Sequence, residues 1–474
     1  MQSVQMDKPH VALISSPGFG HLISVIELAN RLVTQHNLKA TVLAITCQTS
    51  EPQTQVLNST MNPNLCDIIE IPGAKISYLF DPDTTVPTLR HLNTMMHETK
   101  PAILCALSNM KPCPSTIIYD LFSVSACLSI AQELNMQKFV YVASHAWFLS
   151  LVAYSLVLDK EAEGQFTDQK EPIKIPGCKP VRPEDVIDSI VDRNSEQYQT
   201  YLSMVSGIVE GDAFLVNTWE NLQHKELQAL RDQILKVPVY GIGPVVREAE
   251  SAPSELTEWL DMQPSESVIY VSFGSVGALS YEEVTEVAWG LEMSGYRFVW
   301  VVRLPSLTTS IETFFGKGKD DDDGDPLSYL PEGFLLRNQK MGLLVTEWAP
   351  QVAILKHSSV GGFMSHCGWS STLESITNGV PMIAWPLYAE QWMNATLLEE
   401  ELGVAVRLER KKVVEREEIA RKVREIMEVD REGKPNPIRE RVKELKRSAM
   451  KAVSVNGSSY TALSEVAKRC KGRM

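Results

Sequence analysis

HVALISSPGFGHLISVIELANRLVTQHNLKATVLAIT, residues 10–46, is the stretch that decides the fold. Its first run, HVALISS (10–16), is short, β-rich and nearly all apolar, and it passes through a glycine-bearing turn into helical spacing near 21–35. A second such run, ATVLAIT (40–46), leads into another helical stretch. Runs that are apolar throughout, instead of alternating, suit strands buried on both faces. STIIYD (115–120) precedes a helical stretch to about 134, and KFVYVAS (138–144) precedes one over 145–158. Strand–helix alternation of this kind implies a parallel sheet covered by helices on both sides.

The rhythm breaks at PVYGIGPVVREAESAP (238–253), whose prolines, glycines and mixed charge read as a connector. It then restarts in SVIYVSF (267–273), RFVWVV (297–302), GLLVTEW (342–348), VGGFM (360–364) and VPMIAW (380–385). A chain of 474 residues is too long for one ordinary core, so two domains are expected. The fold class expected is α/β, with two doubly wound, Rossmann-like domains facing across a cleft. The boundaries read as 1–240 for the first domain, 241–265 for the linker and 266–455 for the second domain. A C-terminal helix over 456–474 is expected to return to the first domain. Ligands of such sheets sit beyond the C-terminal ends of the strands.

Composition narrows the function. A net charge of −14 argues against unaided binding of nucleic acid, which needs basic surfaces against phosphate. The opening residues enter a strand pattern without a secretory signature. The longest apolar stretch, FLSLVAYSLVL (148–158), is short of the roughly 20 residues a membrane span needs. Eight cysteines without CxxC or zinc spacing read as reduced thiols of a cytoplasmic protein. The Asn-x-Ser/Thr triplets at Asn58, Asn394 and Asn456 then carry no meaning. The acidic segment around 319–325 reads as a solvated loop, because consecutive aspartates lack the spacing of a calcium site. No metal and no cofactor are expected, and the chain is expected to be a monomer.

The most informative segment spans 348–391, WAPQVAILKHSSVGGFMSHCGWSSTLESITNGVPMIAWPLYAEQ. Trp348 and Gln351 follow a strand end and offer a broad π face beside an amide, which suits a nucleobase; stacking contributes on the order of 1–3 kcal/mol. VGGFMSHCGWSSTLESI runs from strand through a glycine turn into a helix, whose N-terminus presents unpaired N–H groups to a diphosphate. His366, Ser370 and Ser371 add donors there, and Glu374, one turn in, can accept from two ribose hydroxyls. Each piece also has an ordinary reading: Trp348 and His366 as core residues, and Ser371 with Glu374 as a capping box.

Taken together, the segment resembles, nearly end to end, the 44-residue signature box of plant family 1 UDP-glycosyltransferases. W-A-P-Q, G-G-F, H-C-G-W, T-L-E-S, G-V-P-M and the closing E-Q all stand at that family's spacing. The resemblance implies a GT-B fold and transfer of a sugar from a UDP-sugar. It places Trp348 on uracil with Ala349 and Gln351 nearby, Glu374 on ribose, and His366, Ser370 and Ser371 on the diphosphate. Glu390 and Gln391 would hold sugar hydroxyls, with Trp369 and Tyr388 lining the sugar. Ser370 departs from the family's usual Asn, which implies a modest change in donor affinity.

PGFGHL (17–22) puts His21 just past the first strand. The GxG there lacks the third glycine of a dinucleotide fingerprint, and the next strand ends in Thr46-Cys47 instead of the acid that grips an NAD ribose. Glycosyl transfer needs a base to take the acceptor proton, and a histidine, with a reference pKa of about 6.5, is suited to that at neutral pH. Asp120, ending the IIYD strand, lies where a parallel sheet can bring it beside His21; alternatively it is a helix N-cap. His21 and Asp120-Leu-Phe match the family's catalytic pair, Ser144 its Ser/Thr position near the sugar, and Ser275 a hydroxyl near the phosphates. His145 replaces the family's Asn.

The resemblance implies a single displacement with inversion, from UDP-glucose to a hydroxyl of a small plant metabolite, giving a β-glucoside. Gln391 resembles users of glucose. Phe122, His145, Trp147, Phe148 and Tyr198 offer walls for an acceptor, or equally core. A planar phenol is expected as the acceptor. The alternatives are another UDP-sugar, a non-phenolic acceptor, and a non-catalytic UDP-sugar-binding protein.

Overall fold

In the computed structural model the described residues are 8–46, 66–74, 88–249, 253–275, 277–305, 325–428 and 436–471. Cys47, Asn58 and most of the acidic segment lie outside them. Where that segment re-enters, Asp325 caps a short turn, Pro326–Tyr329, by accepting from the N–H of Leu327 at 2.9 Å. The chain divides into two units, 1–246 with 451–474, and 247–450.

The first unit is built on seven parallel strands in the order β3-β2-β1-β4-β5-β6-β7. These are β1 (His10–Ser15), β2 (Lys39–Thr46), β3 (Asp67–Pro72), β4 (Thr116–Asp120), β5 (Gln137–Val142), β6 (Ala213–Val216) and β7 (Val239–Gly241). All six residues of β1 are buried, which is why its run is nearly all apolar. Of its two polar residues, His10 satisfies both ring nitrogens, on the carbonyl of Pro112 at 2.8 Å and the hydroxyl of Thr41 at 2.9 Å, and the hydroxyl of Ser15 bonds the carbonyl of Ser16 at 3.0 Å. The helix Phe19–His36 presses Leu22, Val25, Ile26, Ala29 and Leu32 into the core of this sheet, the spacing of one helix face. It stops at Asn37, left-handed at φ 55°, whose N–H bonds back to Leu32. The stretch that read as a connector from 238 thus opens as the edge strand β7.

The helix Ser458–Lys471 belongs to this unit and packs on the helix Phe19–His36 and on β7. Leu463, Val466, Ala467 and Cys470 are buried in the same core. At about 1.5–3 kcal/mol for a fully buried Leu or Val, two such residues alone hold the helix firmly. The hydroxyl of Ser115 reaches the carbonyl of Cys470 at 3.1 Å, and that of Ser459 bonds the carbonyl of Gly243.

The second unit carries six parallel strands in the order β10-β9-β8-β11-β12-β13. They are β8 (Val268–Ser272), β9 (Arg297–Val301), β10 (Gly342–Val345), β11 (Val360–Ser365), β12 (Met382–Ala384) and β13 (Ala405–Arg407). The helix Tyr281–Ser294 starts in a capping box of Ser280 with Glu283. It crosses the helix Arg416–Met427 at Gly290, where a Cβ would sit 2.6 Å from Cγ2 of Ile419. Both sheets are doubly wound. In each, the central strands release their loops at one edge, and the chemistry-bearing residues collect there.

Candidate active-site residues in the two units

In the first unit β1 and β4 are neighbours with Ile14 opposite Tyr119, so the turn after β1 meets the last residue of β4. That residue is Asp120, 2% exposed. One carboxylate oxygen accepts from the backbone N–H and the hydroxyl of Ser16, at 2.8 and 2.6 Å. The other accepts from the N–H and hydroxyl of Ser123, at 3.0 and 2.8 Å. Four donors converging on an acceptor-only group fix its plane and position. Asp120 is therefore also the cap of the short turn Leu121–Ser123, and the two readings open at the sequence level coexist.

Gly18, at φ 123°, lets the chain turn into the helix whose first turn carries His21. Nδ1 of His21 lies 3.7 Å from Oδ2 of Asp120 and has no hydrogen-bond partner. The separation exceeds a hydrogen bond; the nitrogen faces the carboxylate without yet bonding it. Nε2 is then the ring nitrogen left to meet a substrate proton. The ring is 26% exposed and stands edge-on to Phe122, 5.1 Å between centroids.

Ser144 and His145 follow β5, two strands along from β1, and both are buried. Nδ1 of His145 accepts from the N–H of Phe148 at 3.2 Å and so caps the helix Ala146–Glu161; its proton sits on Nε2. Phe122 and Phe148 keep part of their surface open. Trp147 and Tyr198 do not. Trp147 is 1% exposed and spends its indole N–H on the carbonyl of Lys179 at 2.8 Å. Tyr198 donates to Asp159 at 2.6 Å beneath the guanidinium of Arg193. These two are core residues.

In the second unit the donor-site candidates fall into three groups. Gln351, at the start of the helix Gln351–Lys356, donates its amide to the hydroxyl of Ser371 at 3.0 Å and to Oε2 of Glu374 at 2.7 Å. Burial pushes the Glu374 carboxyl up to about 7, against the opposing pull of Gln351 and Arg247. Nearby, the Trp348 ring is 43% exposed and Ala349 is buried.

The second group surrounds His366, which follows β11. Cys367 takes a left-handed φ of 65°, and the helix Trp369–Asn378 begins directly after Gly368. The imidazole is crowded by two glycines: a Cβ on Gly274 would stand 2.5 Å from its Cε1, and one on Gly368 2.4 Å from its Nε2. Burial and the neighbouring Arg303 charge depress its pKa to about 4, so at neutral pH it is an uncharged donor–acceptor. Trp369 and Ser371 are buried, while Ser275 and Ser370 are partly open. The third group is the loop before the helix Gln391–Thr396. The side-chain carbonyl of Gln391 accepts from the N–H groups of Leu387 and Tyr388 at 2.9 and 3.1 Å, which leaves its NH2 for a ligand. Tyr388 and Glu390 are partly buried on that loop.

Sequence reasoning missed Ser16, Ser123, Asn394 and Arg303. Asn394 pins the strained turn by donating to the carbonyl of Cys367 at 2.8 Å, and nothing in its spacing signals this. Arg303 had a legible signal: it is the charge that ends the apolar run RFVWVV at a strand's C-terminal end.

Residues 233–439 match the family model described as UDP-glucoronosyl and UDP-glucosyl transferase. Anthocyanidin 3-O-glucosyltransferase 5 of Manihot esculenta is 53% identical over 469 residues, spanning 96% of this chain and 94% of its own. The structure of TcCGT1 in complex with UDP superposes with a TM-score of 0.90 at 44% identity, covering 98% of this chain and 99% of that one. Phytolacca americana UGT2, complexed with UDP-2-fluoro-glucose and pterostilbene, gives 0.86 at 36% identity over 98% and 100%. The two doubly wound parallel sheets are those of the GT-B fold. The enzymes of this family transfer glycosyl groups from UDP-sugars with inversion and without a metal. The chain belongs to the plant family 1 UDP-glycosyltransferases.

Proposed function

We propose that this enzyme transfers glucose from UDP-glucose to a phenolic hydroxyl of a small plant metabolite, giving a β-glucoside. His21 takes the acceptor proton as the oxygen attacks the anomeric carbon. Asp120 orients the imidazole and offsets the charge that develops on it. UDP leaves as the α-linked bond breaks, its phosphates met by neutral His366, the hydroxyls of Ser275, Ser370 and Ser371, and the helix N-terminus at Trp369. Trp348 stacks on uracil and Glu374 accepts from the ribose. Glu390 and the free NH2 of Gln391 hold sugar hydroxyls, with Trp369 and Tyr388 beside them.

The observation that carries this reading is the unbonded Nδ1 of His21, held facing a carboxylate that four other donors immobilise. A phenolic acceptor is supported by the names of the relatives, an anthocyanidin glucosyltransferase and a structure holding pterostilbene. Phenols, titrating near pH 10 as tyrosine does, also ask less of a histidine base than aliphatic alcohols. Phe122 and Phe148 are the acceptor-facing aromatics of this proposal. Seven described cysteines are all free thiols, and no helix of the described residues is long and apolar enough to cross a membrane. Both support a cytoplasmic enzyme.

The test is UDP release and product formation with a panel of phenols, coumarins, flavonoids and terpenoid alcohols, each against UDP-glucose and UDP-galactose. Glucosides of phenols are the expected products. Turnover confined to aliphatic alcohols, or to UDP-galactose, would overturn the assignment.

A further inference from the structure

Three adjacent strands, β9, β8 and β11, end side by side, and each contributes to one locus. β8 runs into the Gly274–Ser275 turn, β11 into His366, and β9 into Arg303. The turn is seated on the His366 ring through Gly274. Arg303 donates from Nη1 to the carbonyl of Ser275 and so tethers that turn. Among the described residues no carboxylate pairs with Arg303; the ionisable neighbours acting on it are the phenols of Tyr270 and Tyr388. A partly buried guanidinium without a counter-charge is costly. With His366 uncharged, this arginine supplies the fixed positive charge of the locus.

We propose that Arg303 is a donor-binding residue. Its guanidinium supplies the positive charge that complements the diphosphate of the nucleotide sugar, and it holds the Gly274–Ser275 turn in place to receive it. The anion would supply the counter-charge that no described residue gives this side chain. A guanidinium suits the task because it keeps its charge when desolvated and has donors to spare after binding Ser275. This inference rests on the nucleotide being held in the second unit, and it adds a residue outside the 348–391 segment to that site. It also divides the labour: His366 and the hydroxyls direct hydrogen bonds, while Arg303 sets the electrostatics for phosphate and for the charge that builds on departing UDP.

The experiment measures binding of UDP and of uridine to the full-length protein by calorimetry, in the wild type, Arg303→Lys and Arg303→Met. Losing a charge-assisted contact weakens binding about ten- to a hundredfold. Arg303→Met is expected to lose that factor for UDP while its affinity for uridine stays within about twofold. Arg303→Lys, which keeps the charge, should recover most of the UDP affinity, and raising the salt should close the gap between wild type and Arg303→Met. Equal losses for UDP and uridine would make Arg303 a purely structural residue and overturn the proposal, as would unchanged UDP binding in Arg303→Met. Should Arg303→Met not fold, Arg303→Lys and the salt dependence of the wild type decide alone: salt-independent preference for UDP over uridine would refute the charge role. Wild-type protein that binds neither ligand would instead refute the underlying assignment of the nucleotide site.

Discussion

Replacing Asp120 by asparagine separates the structural duty of this carboxylate from its chemical one. Four donors, two of them backbone N–H groups and two of them hydroxyls, converge on its oxygens at 2.6–3.0 Å. An asparagine must turn its NH2 toward either Ser16 or Ser123. The facing hydroxyl can rotate and accept, but the facing backbone N–H cannot, so one buried donor is orphaned at about 1–3 kcal/mol. The bonds at the other end also lose their charge assistance, about a further 1 kcal/mol. The sum, about 2–4 kcal/mol, corresponds to a melting transition lowered by roughly 5–10 °C for a unit of this size. The chemical loss is separate: an amide cannot offset the charge on His21, and turnover should fall on the order of 10²- to 10⁴-fold. UDP affinity should hold within about twofold, because the proposed nucleotide ligands belong to the other unit. Differential scanning fluorimetry, initial rates under saturating donor, and UDP calorimetry read the three effects apart. An Asp120→Asn protein with wild-type melting would show that the four bonds do not hold this group as described. Destabilised protein with wild-type turnover would leave Asp120 as an anchor alone.

Other perturbations bear on the donor side. Glu374, with its carboxyl raised from 4.5 to about 7, favours the unliganded fold most below pH 4.5, a contribution lost as pH rises through 7. Ribose hydroxyls need the ionised form as acceptor, so UDP-induced thermal stabilisation should grow from pH 6 to pH 8, and Glu374→Gln should make it flat; a wild type already flat over that range would contradict the assignment. Gly274→Ala would drive a Cβ to within 2.5 Å of the buried imidazole. With the cost of a left-handed alanine added, about 1 kcal/mol, UDP affinity should drop at least tenfold, and calorimetry showing wild-type binding would show that this close approach does not shape the site. Ser370→Asn should change the KM for UDP-glucose modestly and leave the product a β-glucoside by NMR; an inactive or α-forming variant would be inconsistent with the site.

Much of the fold was legible because its central strands are buried on both faces and therefore read as unbroken apolar runs. β1, β4, β5, β8, β9 and β11 all announced themselves this way. Three of the four edge strands did not: β3 is largely exposed and carries Asp67 and Glu70, and β7 and β13 are three residues each, too short for periodicity to show; β10, the fourth edge, was legible in GLLVTEW. In the sites, residues whose type is itself the signal could be named from sequence, His21, Asp120, His366, Glu374 and Gln391 among them. Residues that act through backbone geometry could not. Ser16 matters because β1 and β4 are neighbours, and Asn394 matters because Cys367 is left-handed; neither condition exists until the chain has folded. Ser123 acts locally, capping the turn after Asp120. Sequence alone left Trp147 and Tyr198 evenly between core and pocket; in the structure both are buried, with their polar atoms bonded to Lys179 and Asp159.

His21 is proposed as the base for a sugar transfer whose nucleotide is held elsewhere in the chain. That role is tested most directly by measuring UDP release from UDP-glucose with a phenolic acceptor, for wild type and His21→Ala, alongside UDP affinity for both proteins. Acceptor-dependent UDP release by the wild type, its loss in His21→Ala, and UDP affinities that agree within about twofold are expected. Wild-type turnover in His21→Ala would contradict that role.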